Sequence, residues 1–492
     1  MIELFQKAKL HKDRAAIVSN ENTYSYAQLL DRSSVVAANL LNKLPDLNEA
    51  SIAFLVPPSF EYVAAQWGIW AAGGMAVPLC VQHPLPSMEY VIEDSGSKVI
   101  LVHEDFQEML QPLKANPDLS IIPLKEVFKK NSSPLPDIGL HRRAMMLYTS
   151  GTTNKPKGVV TTHGIIKSQI VTLVEAWEWE KEDYILNILP LHHVHGIINV
   201  LSCALWSGAC CEFHAKFEAK DVWDTILSGK MTLFMAVPTI YYKLINYWES
   251  DNKKKQLKMS EAASRLRLMV SGSAALPVPV LEKWKSITSH TLLERYGMTE
   301  IGMGLSNSYR NERRPGYVGL PLPGVEMRLV DKDNIPVTEE LPGEIQIKGP
   351  CVFKEYWQKE EATKEAFTKD GWFKTGDIAM LHNGMYKILG RDSVDIIKSG
   401  GYKISALEIE DVLRGHKDID DSAVIGLEDE EWGEVVAACL VSGKNTMDFD
   451  EISKWLRARL PAYKIPRKYV LQKKLPRNVL GKVTKKELKS LF

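Results

Sequence analysis

The chain has 492 residues, 45 % hydrophobic and 25 % charged, and its 61 Lys plus Arg balance its 61 Asp plus Glu. This length is too great for one core and predicts two or three domains of ordinary globular composition. Zero net charge excludes the global basic excess that marks a nucleic-acid binder, and six scattered Cys with no CxxC predict reduced thiols in a cytoplasmic protein.

The first twenty residues lack an apolar core and carry Glu3 and Asp13, unlike a secretory signal. The expected location is the cytoplasm, with the mitochondrial matrix as the alternative. From Tyr24 to Leu44 the apolar positions Leu29, Val36, Leu40 and Leu44 fall near helical spacing. "SIAFLVP" and "KVILVHE" are short β-rich runs between helical patterns, which predicts an α/β layout with partly parallel sheets. The stretch "YTSGTTNKPKGVV" (Tyr148 to Val160) has no buried-helix period. Its small residues Gly151 and Gly158 admit a ligand close to the backbone, and the hydroxyls of Thr149, Ser150, Thr152 and Thr153 can donate to anionic oxygens. Lys155 and Lys157 add charge, so the segment predicts a phosphate cradle, although it does not match the common P-loop.

Further along, Ile197 to Cys211 is the longest apolar run, too short to cross a bilayer and interrupted by Asn199, Ser202 and Gly208. "TLFMAVPTIYYKL" and "RLRLMVSGSAALP" each predict a strand running into a turn. After Pro315 the pattern changes, and "VEMRLVD" and "GEIQIKG" alternate like antiparallel strands. A strand is expected to end at Gly390, and "SALE" (Ser405 to Glu408) has capping-box spacing before a helix. "DFDEISKWLRARL" predicts a second helix with Ile452, Trp455, Leu456 and Leu460 on one face.

Six segments in order, "YTSGTTNKPKGVV", "LPLHHVHG", "ERYGMTE", "GWFKTGD", "GRDSVDIIKSGGYKIS" and "LPRNVLGK", resemble the motifs of the adenylate-forming superfamily of acyl-CoA synthetases, adenylation domains and luciferases. The resemblance implies a large multi-sheet α/β N-terminal domain (residues 1–390), a hinge (391–395) and a small mobile α+β C-terminal domain (396–492). It also implies ATP, Mg2+ and coenzyme A, with small-molecule partners and neither nucleic acid nor a membrane span. Two departures stand out. Asn154 occupies a position where the superfamily has Gly, and Asn tolerates left-handed backbone angles. The hinge segment is one residue longer than in many relatives, so Ser393 matches counting forward from Arg391 and Val394 counting back from Gly401.

By resemblance, Thr149 to Thr153 with Lys157 hold phosphates, and Thr299 and Glu300 contact phosphate and Mg2+, for which a carboxylate oxygen suits a hard cation. Asp377 and Arg391 contact the ribose, Tyr296 beside Gly297 stacks on adenine, and Ser271, Gly272 and Ser273 line that pocket. Lys482 reaches the α-phosphate and the acyl carboxylate. Lys398, Gly401 and Lys403 serve coenzyme A after the small domain swings. His193, His195 and Met298 line the acid pocket. His192, His193 and His195 are too crowded for a zinc centre, and no fourth ligand group accompanies them.

The position before "YGMTE" carries Arg295, where many relatives have a small residue. An apolar tail would leave its charge unpaired, whereas a second substrate carboxylate would pair with it. With "LPLHHVHG" and "SGSAALP", this resembles the malonyl-CoA-forming branch of the superfamily, with malonate or methylmalonate as the acid. The alternatives are a ligase of another short or medium acid and an enzyme loading a carrier protein. Arg295 could also turn away toward an internal partner such as Glu294.

Overall fold

The computed structural model describes residues 2–149, 155–214, 216–399, 402–478 and 481–492, with the backbone alone for Lys403. The candidates Ser150, Gly151, Thr152, Thr153 and Gly401 lie outside the described residues.

Leu233–Ala236 and Leu268–Ser271 are apolar but for Ser271 and buried throughout, as strands covered on both faces must be. They lie side by side in parallel within a sheet of nine strands among the described residues. Its order runs Leu320–Pro321, Gly302–Ser306, Leu293–Met298, Leu268–Ser271, Leu233–Ala236, Tyr184–Asn187, Cys210–Phe213, Ala15–Ser19 and Asn22–Ser25. Ser271 pairs with Glu294, so the "SGSA" turn emerges beside Arg295 at the carboxyl end of the sheet. In open parallel sheets that edge is where ligands bind.

A second, seven-stranded sheet carries Ser51–Leu55 and Val99–Val102 as parallel neighbours, as the sequence predicts. Arg143–Thr149 and Lys157–Thr162, which flank the phosphate-cradle segment, are adjacent antiparallel strands of it. Glu355–Tyr356 joins its edge next to Lys157–Thr162, with Tyr356 opposite Val159. The expected antiparallel pair is Glu326–Val330 with Gly343–Lys348. Phe373–His382 and Met385–Arg391 complete that sheet of four. The register of this last pair sets Asp377 opposite Arg391.

The chain from Ile396 on builds its own sheet of Tyr402–Ser405, Ile396–Ser399, Gly433–Val441, Asp421–Asp429 and Lys468–Gln472. Two helices pack on it. Ala406–Arg414 is capped by Ser405, whose hydroxyl accepts from the Glu408 amide, and Phe449–Arg457 is capped by Asp448. On the second helix and just beyond it, Ile452, Leu456 and Leu460 are buried, and Trp455 is partly buried. The early amphipathic helix runs over Tyr26–Leu41 with a full capping box at Ser25 and Gln28. The apolar run after His195 winds as a π-helix, His195–Ser202, then as an α-helix, Cys203–Ser207, and every residue of His195–Ser202 is buried. Among the described residues, no helix is long and apolar enough to cross a membrane.

Candidate active site

Arg295 sits in the strand Leu293–Met298, whose side chains alternate between faces. Glu294 therefore points the other way. One of its oxygens accepts from the Gly316 amide at 3.0 Å, and burial pushes its carboxyl up to about 8. It is no partner for Arg295. Arg295 is 5 % exposed, and burial lowers its pKa to about 9. Among the described residues it forms no ion pair, and its Nε has no hydrogen-bond partner. A buried cation in that state is costly unless an anion joins it.

Its one side-chain hydrogen bond among the described residues begins a relay. Arg295 Nη2 donates to Ser273 Oγ at 3.3 Å, and Ser273 Oγ lies 3.1 Å from His195 Nδ1. Arg295 supplies a proton to the Ser273 oxygen, which leaves the Ser273 hydroxyl proton for His195 Nδ1. Burial, reinforced by Arg295, holds the His195 pKa well below its usual value, so the ring is neutral. Its proton then sits on Nε2, a buried atom without a partner among the described residues. Among the described residues, Arg295 Nε and His195 Nε2 are thus two buried donors without an acceptor. Ser273 holds its place in a left-handed conformation with φ 69°, unusual for a residue with a side chain. The sequence reading places Ser273 with the nucleotide; the fold turns its side chain toward Arg295 and His195.

The nucleotide candidates assemble on the same edge. The Tyr296 hydroxyl donates to Asp377 Oδ2 at 2.7 Å, and Arg391 Nε donates to Asp377 Oδ1 at 2.9 Å. Ser271 is buried, and among the described residues its hydroxyl has no partner. A β-bulge between Tyr296 and Gly297 bends the strand, and a Cβ on Gly297 would stand 2.1 Å from the Gly302 carbonyl oxygen. Met298 closes the strand, and Thr299 and Glu300 form the turn into Gly302–Ser306.

Glu300 is buried, and burial raises its carboxyl pKa. The Tyr356 hydroxyl donates to one of its oxygens at 3.0 Å, and Lys157 Nζ lies over the Tyr356 ring, 4.7 Å from its centre. A secluded carboxylate held by a single phenol fits a hard cation such as Mg2+. Tyr356 escaped the sequence reading because its role depends on an edge strand pairing across about two hundred residues. At the other flank of the cradle, Thr149 pairs with Lys157, and the Tyr148 hydroxyl donates to Asp94 at 2.9 Å.

Lys482 comes from the far end of the chain to the same place. Surrounding protein, then the charge of Arg391, lowers its pKa; Asp377 opposes this, and Arg295 adds to it. It remains open to solvent, so water screens these charges and the cation persists. His193 feels Lys482 too, and its pKa falls to about 3, chiefly through burial. The neighbouring Gly481 lies against Thr239 of the large N-terminal portion. Lys398 stands apart from this group. It is exposed, its Nζ lies 3.3 Å from Asp392, and it faces Lys403 across the hairpin register.

Residues 4–357 match the AMP-binding enzyme family, and residues 408–482 match the AMP-binding enzyme C-terminal domain. The chain is 44 % identical to the mitochondrial malonate–CoA ligase ACSF3 of Homo sapiens, over 99 % of this chain and 91 % of the relative. It is 39 % identical to the malonate–CoA ligase of Arabidopsis thaliana, over 99 % and 87 %. Among solved structures, ATP-bound MatB from Rhodopseudomonas palustris superposes with a TM-score of 0.91 at 31 % identity, covering 99 % of each chain. The apo form of the same protein gives 0.82, over 99 % of this chain and 98 % of that one.

Proposed function

The chain belongs to the AMP-binding enzyme family, and from that premise we propose that it ligates malonate, or its methyl derivative, to coenzyme A through an acyl-adenylate. One substrate carboxylate attacks the α-phosphorus of ATP, an O–P bond forms, and the bond to pyrophosphate breaks. The thiol sulfur of coenzyme A then attacks the acyl carbon, and AMP leaves with the carboxylate oxygen.

The observation that carries the choice of acid is the unpaired guanidinium of Arg295. A dicarboxylate must place one carboxylate on phosphorus and rest the other elsewhere. Among the described residues, Arg295 Nε and His195 Nε2 are two buried donors without an acceptor, and a resting carboxylate supplies oxygens to both. A monocarboxylic acid leaves them unmet. His193 and Met298 complete the wall of that pocket in this reading.

Adenylation brings an anion onto a polyanion, so positive charge and oriented donors must offset the repulsion. Lys482 stands where its cation meets both the attacking carboxylate and the α-phosphate. Asp377, fixed by Tyr296 and Arg391, accepts from the ribose hydroxyls. Thr149 to Thr153 and Lys157 hold the β- and γ-phosphates with Thr299. Glu300 holds Mg2+, which when bound neutralises phosphate charge. Ser271 and Gly272 line the adenine side with Gly297.

The division into residues 1–390, a hinge at 391–395 and a mobile domain at 396–492 belongs to the same proposal. Lys482 faces the nucleotide residues while Lys398 points to solvent, which suits the adenylation step. The better superposition on ATP-bound than on apo MatB supports this arrangement. Rotation would exchange Lys482 for the hairpin of Lys398, Gly401 and Lys403 during thioester formation. The cytoplasm and the mitochondrial matrix are the compartments considered, and the mitochondrial designation of the human relative supports the matrix.

The test is pyrophosphate and AMP release with malonate, methylmalonate, acetate and butyrate, each with and without coenzyme A. Malonate or methylmalonate is expected to give the highest kcat/KM and to release AMP only when coenzyme A is present. Preference for acetate or butyrate would reject the dicarboxylate reading.

A further inference from the structure

Beside the acid pocket, three side chains that the reaction does not use converge. Cys80 and His83 lie in the loop that follows the strand Met75–Pro78, and His192 belongs to the "LHHVHG" segment. Their ligand atoms all lie within 4.8 Å of one another. More than a hundred residues separate His192 from the other two, so only the fold brings them together. Of the three neighbouring histidines, His195 turns to Ser273, whereas His192 lies between His193 and His83, with ring centres 4.0 and 5.8 Å away.

We propose that Cys80, His83 and His192 form a binding site for a borderline-soft divalent cation of the Zn2+ class, distinct from the hard-cation position at Glu300. Several observations converge on it. His192 Nε2 is buried without a hydrogen-bond partner among the described residues. An ion at this position satisfies that atom. Cys80 is buried and free; burial pushes its thiol pKa up, and the backbone amides of Gln82 and His83 offset this only in part. An ion bound there must therefore draw off the thiol proton itself. One thiolate and two imidazoles select Zn2+ or Co2+ over Mg2+, and three protein ligands leave a fourth position open. Binding exchanges the Cys80 thiol proton for the ion, so the site gains one net positive charge and releases one proton. The ion would also tie the loop after Met75–Pro78 to the segment around His192.

The experiment uses the full chain, reduced and stripped with a chelator, and titrates Co2+ alone. One equivalent is expected to produce a near-ultraviolet thiolate-to-cobalt charge-transfer band with strong tetrahedral visible absorption. Stoichiometric Zn2+ should bleach the band, and excess Mg2+ should not. Cys80→Ser should abolish the band, and His192→Gln or His83→Gln should weaken Co2+ binding by roughly tenfold or more. Cys439→Ser, in the strand Gly433–Val441 of the C-terminal sheet, should leave the band unchanged. Zn2+ should raise the melting temperature of the unsubstituted chain and not that of Cys80→Ser. Absence of a thiolate band, its persistence in Cys80→Ser, or its displacement by Mg2+ would overturn the proposal. If Cys80→Ser does not fold, unaltered Co2+ affinity in both histidine variants would overturn it equally.

Discussion

Gly272 and Arg295 are fitted to each other: a Cβ built on Gly272 would stand 2.4 Å from both Cζ and Nε of the Arg295 guanidinium. The glycine ends the register in which Ser271 pairs with Glu294, and its missing side chain is the space that the guanidinium fills. Gly272→Ala therefore displaces the cation without removing it. A misplacement of this size is expected to lower kcat/KM for malonate by roughly 10²-fold, with a normal melting temperature. Activity equal to that of the parent chain would show that the guanidinium position is immaterial.

Removing the cation itself is more severe. Loss of one partner of a buried charge pair costs about 3–5 kcal/mol. Arg295→Ala should lower kcat/KM for malonate by roughly 10²- to 10³-fold, at about 1.4 kcal/mol per decade. Acetate and butyrate, which lack the second charge, should lose little or gain. Arg295→Lys should recover only part of the malonate activity, because an ammonium lacks the planar fork. A uniform fall across all four acids would assign Arg295 to the fold or the nucleotide.

Lys482→Ala separates the two half-reactions. Adenylation should slow by roughly 10²-fold or more, since one transition-state donor is lost. Thioester formation from supplied malonyl-adenylate should proceed at nearly the parent rate. Single-turnover measurements of each half-reaction decide the point, and equal losses in both would reject the assignment.

The turn between the two portions makes a conformational prediction. The Val394 amide donates to the Arg391 carbonyl at 3.1 Å, a bond that proline cannot make. Val394→Pro should weaken adenylation as well as thioester formation. Ser393→Pro should spare adenylation and impede the rotation that precedes thioester formation. Full turnover in both variants would move the hinge elsewhere.

Glu294 gives a pH dependence whose sign follows from its burial. Its folded pKa of about 8 lies above the ordinary 4.5, so the native chain retains a proton that the unfolded chain releases. Stability from this group is thus full below about 4.5 and declines as pH rises toward about 8. Glu294→Gln should flatten that decline. Melting temperatures from pH 5 to pH 8 measure it, and an unchanged slope would show that the carboxyl is ionised in the native state.

Local patterns were enough to read many elements. The cap at Ser405 and the alternation of "VEMRLVD" and "GEIQIKG" are fixed by neighbours a few residues apart, and they stand where the spacing places them, whereas the early helix is shorter than its spacing predicts, Tyr26–Leu41, and leaves Leu44 exposed beyond its end. Arg295 was legible as a charge in an unusual position, because a motif locates it without any fold. Whether that charge had a partner was not legible. Strand alternation sends Glu294 to the opposite side, and parallel pairing brings in Ser273 from a neighbouring strand. His195, Tyr356 and the approach of Lys482 to Asp377 likewise depend on sheet register and on the docking of the chain's end. The sequence determined which chemical groups are available. The tertiary structure decided which of them are left unpaired in the interior, because burial and partnership are set by contacts between segments remote along the chain.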